Sequence, residues 1–224
     1  QARVRLIGDY SKIDENCCGV VNLQPSASTQ AIRALGGRVN GPNEIYANRV
    51  YSNIDSVNDI ENWGASGQVD YDFGPLTFTS ITAYRRLDAF TNQDSDFTSA
   101  DLIGFNAQDQ GIKTFTQELR AATNMDGPLN FLVGGYYFNE NIRQSNQLGW
   151  GEDARGYADV LIRGLTQNTQ SLSSIEATIS GLTGTNYTGR FFVAGQKLDE
   201  RYRLRNEAFS VFGQADFKIG DRVT

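Results

Sequence analysis

Histidine is absent from the 224 residues, which removes His-based triads, His general bases and most catalytic zinc sites together. Cysteine occurs only as the neighbours Cys17 and Cys18. Two adjacent thiols offer too few ligands for a metal when no His completes the set. They are expected to form a loop disulfide, either with each other or with another part of a longer chain; a reactive thiol pair is the alternative. No run of about 20 apolar residues exists, so no transmembrane helix is expected. Positive charge is in deficit, with 20 Lys and Arg against 26 Asp and Glu and a net charge of −6. That balance speaks against non-specific nucleic-acid binding, which needs a basic face. The chain begins Gln1-Ala-Arg-Val without a Met or a signal peptide and stops where a further strand is due. It is therefore read as a piece of a longer protein.

What is present points to β-structure. Gly (23), Tyr (10) and Phe (13) are abundant while Pro is held to 4, and aromatics suit strands as Gly suits turns. Six strand-like segments are expected at 3–12, 61–73, 76–90, 113–123, 129–142 and 207–218. Tight turns at Phe73-Gly74-Pro75 and Met125-Asp126-Gly127-Pro128 alternate with long connections at 13–57, 91–112 and 144–205. A third turn is expected at Ile219-Gly220-Asp221-Arg222. Hairpin loops are usually about 2–5 residues, so the long connections all fall at one end. That asymmetry is the habit of outer-membrane β-barrels, with short periplasmic turns and long extracellular loops.

Strand faces sharpen the reading. In 61–73, Trp63, Ala65, Gly67, Val69, Tyr71 and Phe73 alternate with Asn62, Gly64, Ser66, Gln68, Asp70 and Asp72, so one environment is apolar and the other aqueous. Ten residues at about 3.3 Å, tilted about 40°, span roughly 25 Å, the height of an outer-membrane apolar band. Aromatics at both ends of the row have the spacing of two interfacial girdles. A soluble sandwich strand fits the alternation equally well and the terminal aromatics less well. In 207–218, Phe209, Val211, Gly213, Ala215 and Phe217 oppose Ser210, Gln214, Asp216 and Lys218. Segment 3–12 places Val4, Leu6, Gly8 and Tyr10 together, and 113–123 sets Phe115, Leu119 and Ala121 against Thr116, Glu118 and Arg120. Segment 76–90 changes phase between Phe78 and Ile81, so a bulge is expected near Ser80. Segment 129–142 is apolar on both faces from Phe131 to Phe138 and cannot be oriented by period.

Helical spacing occurs inside the loops: Ser28–Leu35 stopping at Gly36-Gly37, then Tyr157, Val160, Leu161 and Leu165, then Leu172, Ile175, Ile179 and Leu182 broken by Gly181 and Gly184. These helices either order a loop around a small core of its own or line a ligand entrance. Asp94-Ser95-Asp96 with Asp101 is a fragment of a calcium loop without its Gly and terminal Glu, so no metal site is expected. Glu118 and Arg120 read as an ion pair on a polar strand face rather than an acid–base couple. No catalytic set, cofactor motif or enzymatic activity is expected from these residues.

Leu76-Thr-Phe-Thr-Ser-Ile-Thr-Ala-Tyr-Arg85, Thr116-Gln-Glu-Leu-Arg120, Asn130-Phe-Leu-Val-Gly-Gly-Tyr-Tyr-Phe-Asn-Glu140 and Ala208-Phe-Ser-Val-Phe-Gly-Gln-Ala-Asp-Phe217, with Asp14-Glu-Asn-Cys-Cys18 in the first loop, together resemble TonB-dependent outer-membrane receptors, in particular the sphingomonad-type set. The resemblance covers about a third of the residues, in the family's order and spacing. It implies an all-β antiparallel up-and-down meander belonging to a 22-stranded transmembrane β-barrel, with short helices in long extracellular loops. It also implies an N-terminal plug, absent from this chain, and a Gram-negative outer membrane as the location. The partners implied are outer-membrane lipid, a small-molecule ligand at the extracellular loops, and TonB through a segment this chain lacks; nucleic acid is not among them. The ligand classes left open are an iron chelate, a saccharide and an aromatic-derived compound. On this reading Trp63, Val69, Tyr71, Phe73, Phe209, Val211 and Phe217 face lipid, and Gln68, Asp70, Glu118, Arg120, Gln214 and Asp216 face the lumen. The alternatives are a passive porin-type channel and a soluble β-rich ligand-binding module.

Overall fold

A computed structural model describes residues 1–219. Six strands form a single antiparallel sheet in sequence order: β1 (Ala2–Asn16), β2 (Val57–Asp72), β3 (Leu76–Asn92), β4 (Ile103–Thr123), β5 (Leu129–Trp150) and β6 (Lys197–Phe217). The up-and-down order follows from the turns. Gly74 is left-handed at φ 95°, which a residue without a Cβ adopts freely, and its N–H donates to Asp72 Oδ1 at 2.7 Å. At the second turn Asn130 clamps both sides, accepting from Met125 N at 2.7 Å and donating to Met125 O at 3.2 Å. The third expected turn lies, apart from Ile219, outside the described residues.

The strands run further towards the long loops than the alternation indicates, so the connections shrink to 17–56, 93–102 and 151–196. Segments such as Gln108-Asp109-Gln110 and Gln144-Ser145-Asn146-Gln147 are polar on both faces, and hydropathy contrast vanishes there while the hydrogen-bonded ladder continues. The bulge expected near Ser80 does not exist: β3 keeps unbroken register with β2 and β4 through that residue. Ser80 and Thr82 stay in the apolar row because Gln117 satisfies them. Thr82 Oγ1 donates to Gln117 Oε1 at 2.6 Å, and Gln117 Nε2 donates to Ser80 Oγ at 3.1 Å. The ladder shifts instead at Ile103/Phe105 in β4.

Among the described residues three α-helices sit in the loops. α1 (Ala27–Ala34) lies in the first, and α2 (Ala154–Leu165) and α3 (Leu172–Thr183) lie in the third. α3 is capped by a reciprocal Ser171/Ser174 pair, the arrangement that satisfies orphan N-terminal N–H groups. Gly184, left-handed at φ 71°, ends it, whereas Gly181 sits inside the helix rather than breaking it. The buried apolar residues Ala31, Ile32, Val39, Ala100, Leu102, Ala154, Ala158 and Leu172 all belong to these loops. Among the described residues no strand contributes a hydrophobic side chain to the buried core. The sheet is one layer, and its two faces are left for other surroundings to cover.

Candidate functional site

Cross-strand register assigns every strand residue to one of two faces. Tyr71, Phe78, Ala121, Val133 and Gly213 form one continuous row, and residues two apart along each strand share its face. Trp63, Val69, Tyr71, Phe209, Val211 and Phe217 therefore lie on one apolar face. Phe73, one residue past β2, stacks on Tyr71 with ring centroids 4.4 Å apart. Gln68, Asp70, Glu118, Arg120, Gln214 and Asp216 lie on the opposite face, through the row Asp70, Thr79, Arg120, Gly134, Phe212. The twelve candidates that lie within strands fall on two opposite faces by register, and β5, which period could not orient, places Phe131, Val133 and Tyr137 on the apolar side.

On the apolar face each strand ends its row on an aromatic, and two residues outward the row turns polar. The pairs are Tyr10 and Lys12, Trp63 and Glu61, Tyr84 and Arg86, Phe115 and Lys113, Tyr137 and Asn139, and Phe209 and Glu207. Consecutive rings touch: Trp63 with Tyr84 at 5.5 Å, Phe115 with Tyr137 at 6.2 Å, and Tyr137 with Phe209 at 4.8 Å. The aromatic line runs diagonally. Tyr10 registers across the sheet, through Trp63, Arg86, Lys113 and Asn141, with Arg205, and Phe209 lies four residues beyond Arg205. Four residues are a drop of about 13 Å over five strand spacings of about 4.8 Å, or roughly 30° between the line and the perpendicular to the strands. A second aromatic line, Tyr71, Phe78, Phe131 and Phe217, falls in the same sense, since Phe131 is two residues below that row and Phe217 four. From Phe209 to Phe217 the band measures about 27 Å along the strand and roughly 23 Å normal to these lines.

The opposite face is polar and internally paired. Asp70 accepts from Thr79 Oγ1 at 2.7 Å and from Gln68 Nε2 at 2.9 Å. Arg85 donates to Asp9 at 2.7 Å and to Asn62 at 3.0 Å, and Glu118 pairs with Arg120 at 2.8 Å. Beyond them, on β5 and β6, the same face carries Tyr136, Phe138 and Phe212. The Phe212 ring covers Gly134, where a Cβ would overlap the ring and come within 2.9 Å of the Leu119 carbonyl.

At the loop end the second connection is the keystone. Asp94 Oδ1 accepts from the N–H groups of Asp96 and Phe97 at 3.1 Å. Asp96 accepts from Thr98 N and Ile103 N, and burial pushes its carboxyl up against those hydrogen bonds. Asp101 joins the other two connections, accepting from Asn53 Nδ2 at 2.7 Å and Glu152 N at 2.8 Å. The aspartates are occupied in folding the loop, and among the described residues no group of three or more His, Cys, Asp and Glu is placed to hold a metal ion. Ile32, Ala100 and Leu102 form the small core, with Tyr157 against it. Cys17 and Cys18 are bonded to each other, the vicinal form of the two disulfides expected.

No family model, curated protein or solved structure matches the chain.

The third connection is locked by Glu176. Its carboxylate has no exposed surface and is gripped by Arg155 at 2.7 and 2.8 Å and by the N–H groups of Gly189, Arg190 and Phe191 at 2.9–3.0 Å. Hydrogen bonding from Arg155 first, then from these backbone donors, holds its pKa down at about 2. The lock presents Phe191 and Phe192 beside Trp150, whose ring meets Phe192 edge-on at 5.0 Å. Leu148, Arg190 and Leu198 complete a mainly apolar cleft of about 680 Å³. Sequence reading passed over this cleft because residues 144–205 read as one loop. The extra turn of alternation at Tyr202 and Leu204, between Arg201, Arg203 and Arg205, was the available signal that β6 begins earlier.

Proposed function

We propose that these strands are part of the transmembrane barrel of an outer-membrane receptor of the TonB-dependent kind, and that the packed loops are its ligand-facing cap. The observation that carries this reading is the pair of parallel diagonal aromatic lines bordering an apolar band. Lipid demands a band of constant height, and strands tilted about 35–45° in a flat bilayer would cut it diagonally to their own direction. The band's roughly 23 Å is close to the about 25 Å of outer-membrane barrels. A core placed in the loops and absent from the sheet supports the same conclusion, since a sheet of one layer needs lipid on one side and a polar lumen on the other. Six strands cannot close such a barrel, so further strands pair with the free edges of β1 and β6. The 22-stranded closure, the plug and the coupling to TonB follow from the resemblance alone.

We place ligand contact at the Trp150–Phe192 cleft, whose aromatic lining and adjoining Arg190 suit a planar ligand carrying negative charge. The protein acts here as a receptor and conduit, with no chemical step on the ligand. Spin labels introduced singly along β2 and β6 of the intact protein in bilayers test the orientation. Val69 and Val211 should be accessible to oxygen, and Gln68 and Gln214 to a water-soluble relaxer. Water access at Val69 and Val211 would overturn the assignment.

A further inference from the structure

The first connection begins at a bond between adjacent residues. Cys17 and Cys18 are the chain's two cysteines and are joined to each other. Disulfide stabilisation grows with the length of loop the bond closes, and a bond between neighbours closes the shortest loop there is. It therefore contributes least to global stability, and its effect is local. With the bond closed, Cys18 stands in the left-handed region at φ 75°, which residues with a Cβ avoid. The next residue brings the outgoing chain against the returning one: a Cβ on Gly19 would lie 3.2 Å from Val50 Cγ1. Hydrogen bonds tie the same point to its surroundings. Cys17 N donates to Ser56 O at 3.2 Å, Ser56 Oγ accepts from Asp94 N at 3.0 Å, and Gln93 Nε2 donates to Cys18 Sγ at 3.7 Å. The disulfide thus sits where both ends of the first connection meet the start of the second.

The bond is also open to reagents. Cys18 is exposed and Cys17 half-buried, and the pair forms one wall of a cleft of about 230 Å³ shared with Val20, Val50 and Phe97. Asp55 and Asp94 line the cleft, and among the described residues no Lys or Arg does. A negative rim repels an attacking thiolate that carries further negative charge, and so favours reagents without it. Exchange with a dithiol runs through a mixed disulfide. One thiolate of the reagent attacks the exposed Cys18 Sγ, the S–S bond breaks, and its electron pair leaves on Cys17 Sγ, which takes up a proton. The second thiol, giving up its proton, attacks the reagent sulfur of the mixed disulfide and expels the Cys18 thiolate, which is protonated in turn. Two electrons and two protons pass to the protein, and the reagent departs as a cyclic disulfide. Cys18, no longer tied to its neighbour, returns to an extended backbone, and the contacts of Gln93 and Gly19 go with it.

We propose that the Cys17–Cys18 bond is a redox-sensitive latch on the first connection, opened by dithiols that carry no negative charge of their own. The latch does not depend on the sheet spanning a membrane. The intact protein is treated with dithiothreitol or with the anionic dithiol dimercaptopropanesulfonate, each rate being referred to the same reagent's rate on an uncharged model disulfide. Freed thiols are alkylated and located by peptide mass, and hydrogen exchange is followed residue by residue. Dithiothreitol should free both thiols of the folded protein and raise exchange at the amides of Cys17 and Asp94 at least about tenfold. The amides of Gln30 and Leu35, whose bonds stay within α1 and its caps, should keep their protection. A small oxidised dithiol should restore the closed pattern. The anionic reagent should react about tenfold more slowly, and Asp55→Asn should narrow that gap about threefold. C17S/C18S should show the open exchange pattern without reductant. The proposal is overturned if dithiothreitol frees no thiol short of unfolding, if exchange at Cys17 and Asp94 is the same in both redox states, or if the anionic reagent reacts as fast. Loss of protection at Gln30 and Leu35 as well would replace the latch by a bond that holds the whole connection, and would overturn it too.

Discussion

Glu176 concentrates the stability of the third connection in one side chain, because one carboxylate accepts from Arg155 and from three consecutive backbone N–H groups. Its pKa is lowered in the folded chain, from 4.5 to about 2. The stabilisation is therefore complete above about pH 4.5 and is withdrawn as pH falls towards 2. Hydrogen exchange at Gly189, Arg190 and Phe191 should be protected at neutral pH and should open in that acid window. Glu176→Gln removes the charge while Arg155 stays, and should cost the cap about 2–3 kcal/mol, less than a wholly buried pair because Arg155 is partly exposed. Exchange protection at the same three amides measures it; unchanged protection would show that the lock is not what orders Phe191 and Phe192. Gly134 carries a second residue-scale test. Gly134→Ala forces the Phe212 ring off its seat and should destabilise the β5–β6 pair by about 1–3 kcal/mol, read from the urea midpoint of the detergent-solubilised protein.

At the scale of elements, opposite faces of one strand should respond oppositely to the same substitution. Val211→Arg puts a charge inside the apolar band, about a quarter of the way from its Phe209 border to Phe217, and should cost about 1–3 kcal/mol, while Ser210→Arg, one residue away on the polar face, should cost little. Equilibrium unfolding in liposomes compares the two, and equal effects would contradict two different environments. The strands were legible in sequence wherever the environments differ, as in Trp63–Tyr71 and Phe209–Phe217, because contrast of period two needs one dry and one wet face. It failed in two physical situations. Past Arg86 and Lys113 both faces are polar, so β4 and β5 continue without contrast and were cut short. Around Ser80 the change of phase from Phe78 to Ile81, Ala83 and Leu87 suggested a bulge, because Gln117, which satisfies Ser80 and Thr82 within the apolar row, is distant in sequence. The helices were legible from their own apolar stripes. The cleft that gathers Arg86, Lys113, Arg143 and Arg203 was not, since these residues come from four strands and meet only through register.

At the scale of the molecule the surface is too large for a self-sufficient fold. A compact monomer of 24.7 kDa exposes about 10,000 Å², whereas this chain exposes 14809 Å². Much of the excess is apolar, with Phe209 at 78% and Val211 at 85% exposed, and both outer strands carry free edges that template pairing. The isolated chain should therefore run as large aggregates in size-exclusion chromatography without detergent; a monodisperse, detergent-free monomer would contradict a membrane role. The most direct test of that role is a depth profile along the apolar face of β6. A fluorophore placed in turn at positions 209, 211, 213, 215 and 217 of the intact protein in bilayers is quenched by lipids brominated at graded depths. A bilayer-spanning strand predicts shallow positions at 209 and 217 and the deepest at 213. A flat profile across the five positions would contradict it.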